Sequence, residues 1–283
     1  MPEGDTIYRA ARTLQRALGG HVVTHFETQL AQLDRVDCDR PLVGRSVEGV
    51  EANGKWMLIR FSGDMILLTH MLMSGSWHIY RPGETWQRPR SQMRVVIATD
   101  AFVAVAFQVP IAEFHTNESL ERRRGLRTLG PSLLAGEFDE KEALGRIRQY
   151  PDLEVGVALL TQSLLAGIGN VYKSESCFVS GINPFRKVAT LNEDELSRLL
   201  MNARRLMLAN VAAGSTDQIT TYSGLRRTTS RSDPEARLWV YHRRGEPCRR
   251  CGEAIEARKQ GEDARTSFWC PQCQPLARAA KRG

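Results

Sequence analysis

No stretch of this 283-residue chain approaches the roughly 18 uninterrupted apolar residues that a membrane-spanning helix needs. Nothing near residue 1 has the basic, apolar and small-residue order of a secretory signal. The two absences predict a soluble cytoplasmic protein, nucleoid-associated if bacterial, with no membrane partner. Internal repeats and long low-complexity segments are also missing, which excludes a solenoid or an extended disordered chain. Cysteine is scarce outside two close pairs, since only Cys38 and Cys177 of the six stand alone. Both of these are read as small buried thiols. The pairs, in a cytosolic context that disfavours disulfides, point to a metal.

Acidic residues are outnumbered, 32 Asp and Glu against 39 Lys and Arg, for a net charge of +7. The basic excess collects at Arg122, Arg123, Arg124 and Arg127, at Arg226, Arg227 and Arg231, at Arg243, Arg244, Arg249 and Arg250, and in the tail from Arg278 to Arg282. Clustering of this kind is the footprint of a polyanionic partner. Apolar residues at 42% and charged residues at 25% are ordinary for a globular chain, and the length suits one large domain or two smaller ones.

Along the chain, Asp5 to Leu18 carries Ile7, Ala11, Leu14 and Leu18 at helical spacing, with Asp5 as N-cap and Gly19-Gly20 as stop. His21 to Thr28, Ser46 to Phe61, Met65 to Tyr80 and Met93 to Phe107 read as β structure, with tight connections at Ser62-Gly63-Asp64 and Thr99-Asp100-Ala101. A polar stretch from Thr116 to Arg127 then leads to Leu129-Gly130-Pro131, where the domain boundary is placed. Helices follow over Asp139 to Ile147, Gly156 to Leu165, Val171 to Ser180 and Asn192 to Ala213. From Gly214 to Ala236 the richness in Ser, Thr, Gly and Arg suits a mobile loop.

Three features carry chemistry. Cys248-x2-Cys251 and Cys270-x2-Cys273, with eighteen residues between the pairs, supply four thiolates for one tetrahedral zinc ion across a β-hairpin. Four protein ligands leave no position for water, so the metal is structural. Ala166-Gly167-Ile168-Gly169-Asn170-Val171-Tyr172 lies between two helices, where glycines admit a polyanion to the backbone and Asn170 adds a donor. An ordinary glycine turn with a capping Asn is the alternative. At the start, Pro2 is exposed once Met1 is cleaved, and its secondary amine, with a pKa near 8, can attack an aldehyde-like sugar carbon. Glu3 beside it is a candidate acid and base; the plain alternative is a start followed by a turn.

The co-occurrence of Met-Pro-Glu-Gly, Ala-Gly-Ile-Gly-Asn-Val-Tyr and a four-cysteine finger, in this order, resembles the formamidopyrimidine-DNA glycosylase and endonuclease VIII family over nearly the whole length. Asn53-Gly54-Lys55, His70 to Gly75, Leu129-Gly130-Pro131 and Val240-Tyr241-His242 with Gly245-Glu246-Pro247-Cys248 also match. The resemblance implies an α+β fold: an N-terminal β-sandwich with a capping helix (1–128), a helix-two-turn-helix domain (129–236), a zinc finger (237–276) and a basic tail (277–283).

By the same resemblance, the protein is a monomeric DNA glycosylase and AP lyase of base excision repair acting on damaged DNA. Pro2 forms a Schiff base at C1′ and Glu3 moves protons at the sugar. Lys55, on a strand, contacts a phosphate and serves β-elimination; Arg265, on the finger hairpin, grips a phosphate and supports δ-elimination. Asn170 binds the phosphates flanking the flipped nucleotide. Leu72 and Met73, followed by Ser74, fill the gap left by the base, unless they are core or sheet-face residues. Arg127 is carried for the basic position before Leu-Gly-Pro, where Thr128 aligns. Pro-Glu-Gly, and Ala106 to Pro110 in place of Asp-Pro-Arg-Arg-Phe-Gly, favour the endonuclease VIII branch and oxidised pyrimidines over oxidised purines. Thr6, where both branches carry glutamate, bears on base excision. A catalytically weak AP lyase or a silent damaged-DNA-binding protein is the alternative, and a zinc-ribbon transcription or RNA-binding factor explains only the finger and the charge.

Overall fold

The computed structural model describes residues 2–212, 226–229 and 234–276. Of the Gly214 to Ala236 stretch expected to be a mobile loop, 214–225 and 230–233 lie outside the described residues, as does the basic tail from 277. Described residues through Thr128 form one compact unit and those from Leu129 onward form a second.

Helix α1 (Gly4–Leu18) opens the first unit, and Ile7, Ala11, Leu14 and Leu18 are all buried, as their spacing predicts. Asp5 is not the N-cap. Glu3 holds that position with extended backbone, its carbonyl accepting from Thr6 and Ile7 at 3.0 and 3.1 Å. Asp5 instead lies buried in the first turn, paired with Arg9 at 3.3 Å, where a carboxylate meets the positive end of the helix.

Strands β1 (His25–Thr28), β2 (Val47–Asn53), β3 (Trp56–Phe61), β4 (Met65–His70), β5 (Ser76–Tyr80), β6 (Met93–Ala98), β7 (Val103–Phe107) and β8 (Ile111–His115) build two antiparallel sheets, ordered β2-β3-β4-β8 and β1-β6-β7-β5. Alternation along each strand decides what faces in. Met57, Ile59 and Phe61 of β3 share one core with Ile79, Val95, Ile97 and Ala104 and with the apolar stripe of α1. The result is a β-sandwich with a capping helix. Leu58, Ile66 and Leu68 point the other way and are covered by Trp56, Leu120 and Leu126. The polar Thr116 to Arg127 stretch is therefore a lid on the sheet, folded as α3 (Asn117–Arg122) and α4 (Arg124–Arg127). A capping box between Thr116 and Ser119 starts it. Helix α2 (Ala31–Asp39), which the sequence reading left out, buries only Leu33. Cys38 on it is exposed rather than buried, while Cys177 is buried.

The second unit contains α5 (Glu140–Arg148), α6 (Val155–Leu160), α7 (Asn170–Ser180), α8 (Glu193–Ala212) and the hairpin β9 (Glu256–Gln260)–β10 (Arg265–Trp269). Helix α6 stops at Leu160 rather than Leu165 because Gln162 folds back. Its Nε2 donates to the carbonyls of Leu160 and Ile168 at 2.8 and 3.0 Å, and its Oε1 accepts from the Gly167 amide at 3.1 Å. Orphan carbonyls at a helix end need such partners. Helix α7 is buried along almost its whole length, with polar Ser174, Glu175 and Ser176 inside.

On the outer face of the β5 sheet, His78 lies between the Ser76 hydroxyl (3.1 Å) and the Tyr80 hydroxyl (3.2 Å). Burial, and then the charge of Arg88, lower its pKa to about 4; His70 is lowered equally by burial, Lys55 and Arg123. Unfolded histidines bind protons from about pH 6.5 downward while these two do not, so stability is lost as pH falls from about 6.5 toward 4. Urea unfolding at stepped pH checks this, and His78→Asn should flatten the dependence. In the same assay at pH 7, Phe61→Ala should cost about 3–5 kcal/mol and exposed Val22→Ala under about 0.5 kcal/mol.

Candidate active site and metal centre

The β2–β3 turn consists of Gly54 and Lys55, with Asn53 paired to Trp56 across it. Gly54 has φ 61°, which an L side chain resists and which the first position of a two-residue Gly-x hairpin loop requires. Lys55 is therefore a half-buried turn residue and not the strand residue that the sequence reading expected. Its neighbour Trp56 pairs with His70 at the end of β4, and His70 pairs with Ile111 at the start of β8. The Lys55 turn, the Met71–Gly75 turn and the Gln108–Pro110 turn thus share one end of the sheet.

Helix α1 points at that same end. The Gly20 amide donates to Val47 O at 2.8 Å, and Gln15 Oε1 accepts from the Val50 amide at 2.5 Å. The helix thus runs backward along β2, from Val47 toward Asn53 as its numbering falls. Rises of about 1.5 and 3.3 Å per residue bring its N-terminus level with the Lys55 turn. Pro2 and fully buried Glu3 occupy that tip. Beside them Thr6 gives its hydroxyl to Asp5 at 3.3 Å.

Leu72 and Met73 are 44% and 63% exposed at the tip of their turn, so neither is a core or sheet-face residue. Leu72 has φ 44°, a conformation that costs a leucine roughly 1–2 kcal/mol and must be held by its surroundings. Trp56, edge-on to His70 with centroids 4.7 Å apart, also carries the Arg123 guanidinium 4.4 Å over its ring. Glu113 grips that guanidinium with two bonds of 2.6 and 2.9 Å, and the pairing with Arg123 holds its carboxyl below the usual range. Arg127, exposed at the end of α4, lines a hollow of about 720 Å³ with Asn53, Leu58 and Arg60.

In the second unit, Asn170 is the first residue of α7 and sends Nδ2 to the carbonyl of Thr266 at 2.7 Å. That bond ties the helix start to the strand bearing exposed Arg265. Asn170 Oδ1 is buried with no hydrogen-bond partner among the described residues. The hairpin is pinned again by Gln260, whose Nε2 donates to Glu154 and to Pro184 O, each at 2.8 Å.

Sequence reasoning missed Glu175. Its carboxylate, wholly buried, accepts from the backbone amides of Trp239, Val240 and Tyr241 at 2.8, 2.9 and 2.8 Å and from the Thr228 hydroxyl. Part of the arginine excess read as a polyanion footprint is also structural. Arg243 is buried, bonded to Glu246 and to the carbonyls of Trp239 and Pro247. Arg250 stacks over Phe178 at 4.5 Å.

The Sγ atoms of Cys248, Cys251, Cys270 and Cys273 all lie within 4.8 Å of one another, with separations of 3.4 Å (Cys251–Cys270), 3.5 Å (Cys251–Cys273) and 3.9 Å (Cys248–Cys273). Zn–S bonds of about 2.3 Å in a tetrahedron place sulfurs about 3.8 Å apart, so the set fits one zinc ion. Backbone amides of Arg250 and Cys273 point at Cys248 and Cys270 Sγ, each at 3.4 Å, as donors to thiolates. Burial and the neighbouring thiols Cys251 and Cys248 push Cys270 up to about 11 against the pull of the Cys273 amide, so four thiolates this close need a cation. Chelation, or Cys270→Ser, should unfold the finger. Expected are loss of one zinc per chain by metal analysis and new amide exchange over residues 245–276, with the β-sandwich unchanged.

Residues 1–110 match the formamidopyrimidine-DNA glycosylase N-terminal domain, 129–222 the formamidopyrimidine-DNA glycosylase H2TH domain, and 245–276 the zinc finger found in FPG and IleRS. The chain is 38% identical to the probable endonuclease 8 2 of Streptomyces coelicolor, covering 97% of this chain and 94% of that protein. It is 35% identical to the DNA-(apurinic or apyrimidinic site) lyase Nei2 of Mycolicibacterium smegmatis, covering 97% and 99%. Its fold matches that of Lactococcus lactis Fpg, solved in complex with DNA containing an abasic site, with a TM-score of 0.79 and 22% identity over 96% of this chain and 99% of that one. The chain belongs to the formamidopyrimidine-DNA glycosylase and endonuclease VIII family, the DNA glycosylases with AP-lyase activity of base excision repair.

Proposed function

We propose that the protein is a monomeric bifunctional enzyme that removes oxidised bases, pyrimidines foremost, from damaged DNA and then cuts the strand, with the amine of Pro2 as nucleophile. The observation that carries this reading is the position of Pro2. It directly precedes buried Glu3, the N-cap of α1, and the bonds from Gln15 and Gly20 to β2 run that helix start toward the Lys55 turn. Without Met1 the amine becomes the N-terminus, and the positive end of the helix favours its neutral, nucleophilic form over the ammonium. Its attack makes the N–C1′ bond as the glycosidic bond breaks, its electron pair leaving with the base. Glu3 supplies and takes protons at the sugar as the ring opens to the iminium. Removal of a C2′ proton then expels the 3′ phosphate; a second elimination expels the 5′ phosphate.

Lys55 contacts a phosphate and gives a proton in the first elimination, and Arg265 grips the phosphate of the second. Asn170 retains one amide hydrogen beyond its bond to Thr266 for the flanking phosphates, and Arg127 adds charge at the exposed end of the lid. Leu72 and Met73, exposed on a left-handed turn, suit a wedge that fills the vacated base position. Thr6 supports a second reading, a lyase weak in base excision, because it offers only a hydroxyl where the family carries a carboxylate.

Borohydride trapping on duplexes with thymine glycol or an abasic site tests both readings. Peptide mapping should find the reduced adduct on residue 2 with Met1 absent, and Glu3→Gln should slow base release by about 10²–10⁴-fold. An adduct on the abasic duplex alone would establish the weaker lyase. A chain that retains Met1, or one that forms no adduct, would leave a DNA-binding protein without this chemistry.

A further inference from the structure

We propose that His70 is a positioning residue whose Nδ1 atom sets the shape of the Met71–Gly75 turn, so that Leu72 and Met73 stand preformed in the free protein. The functional half of this inference rests on the wedge reading given above. The Leu72 amide donates to His70 Nδ1 at 3.1 Å. An acceptor at Nδ1 requires the ring to carry its proton on Nε2 and to stay neutral. The ring cannot turn freely to give up this bond, because Trp56 meets it edge-on at 4.7 Å, fixed in turn by Arg123 and Glu113.

The turn needs such a hold. Leu72 at φ 44° has no conformational preference of its own for that shape. The far side closes by the Gly75 amide donating to Met71 O at 2.8 Å, and a Cβ on Gly75 would meet that oxygen at 2.7 Å. One side is thus set by a glycine and the other by a histidine lone pair. Lys55 and Arg123 are the charged groups facing His70; with burial, they keep it neutral down to about pH 4, so the bond persists at any working pH.

The two ring nitrogens can be tested separately. Asparagine places an acceptor near Nδ1, glutamine places its amide near Nε2, and alanine offers neither. In single-turnover cleavage of an abasic duplex, His70→Asn should retain the rate, while His70→Gln and His70→Ala should slow it about tenfold with unchanged melting temperatures. A Gln variant that cuts normally beside a slow Asn variant would mean that His70 acts through Nε2, and would overturn the proposal. In the full-length protein labelled with ¹⁵N, the expected signal without DNA is an Nε2–H tautomer with coupling across the Leu72 N–H···Nδ1 bond; an Nδ1–H tautomer overturns the proposal outright. Wild-type cleavage by a Leu72→Ala/Met73→Ala double variant sinks the wedge reading, and is told apart from failure of the positioning because the coupling would remain.

Discussion

A carboxylate taken out of water must be met by donors, and Glu175 in the middle of α7 is met almost entirely by backbone. Three consecutive amides and one hydroxyl converge on it, so the chain entering the finger has one permitted course. A hairpin of two five-residue strands has little core of its own, and the finger borrows α7 as its floor. Asn170 and Ser174 extend the same arrangement, bonding Thr266 and Phe268 of β10. The metal fixes one end of the finger; the helix fixes the strand that presents Arg265.

What could be read in advance follows from how local each cause is. Cysteine spacing is local chemistry, so the zinc centre was legible from four residues. The apolar stripes of α1 and α8 lie in register with their burial, whereas the one-residue displacement that puts Gly54-Lys55 rather than Asn53-Gly54 in the hairpin loop is set by pairing across β2 and β3. Helix α2 was not legible because it buries a single leucine and so leaves almost no periodic signal. Glu175 and Gln260 were missed for a different reason: the donors to Glu175 are 53 to 66 residues away in sequence and the acceptors of Gln260 Nε2 are 76 and 106 away, and nothing near them hints at a buried polar role. Composition misled in one place. Arg243 and Arg250 count toward the net charge, yet buried Arg243 serves carbonyls inside the fold and exposed Arg250 lies over an aromatic face.

The two units handle rigidity differently. In the first, the candidate groups stand on turns at one sheet end, shaped by positive-φ residues at Gly54, Leu72 and Gln108. Strained turns keep their form only where the surroundings over-determine them, and the Glu113–Arg123–Trp56–His70 stack supplies that support. In the second, the candidate groups stand on a helix start and a strand end, where hydrogen bonds to regular backbone suffice.

The seating of α1 has a further consequence. Most chain termini tolerate trimming or extension because nothing measures their length. Here the helix is gripped near its far end, by Gln15 against Val50 and Gly20 against Val47, and its tip is where residue 2 stands. One residue gained or lost between these grips and the tip would swing the tip by about 100° and move it by about 1.5 Å. The first turns of this chain therefore form a ruler, and the number of residues from Pro2 to Gln15 bears on the proposed chemistry as much as their identity does.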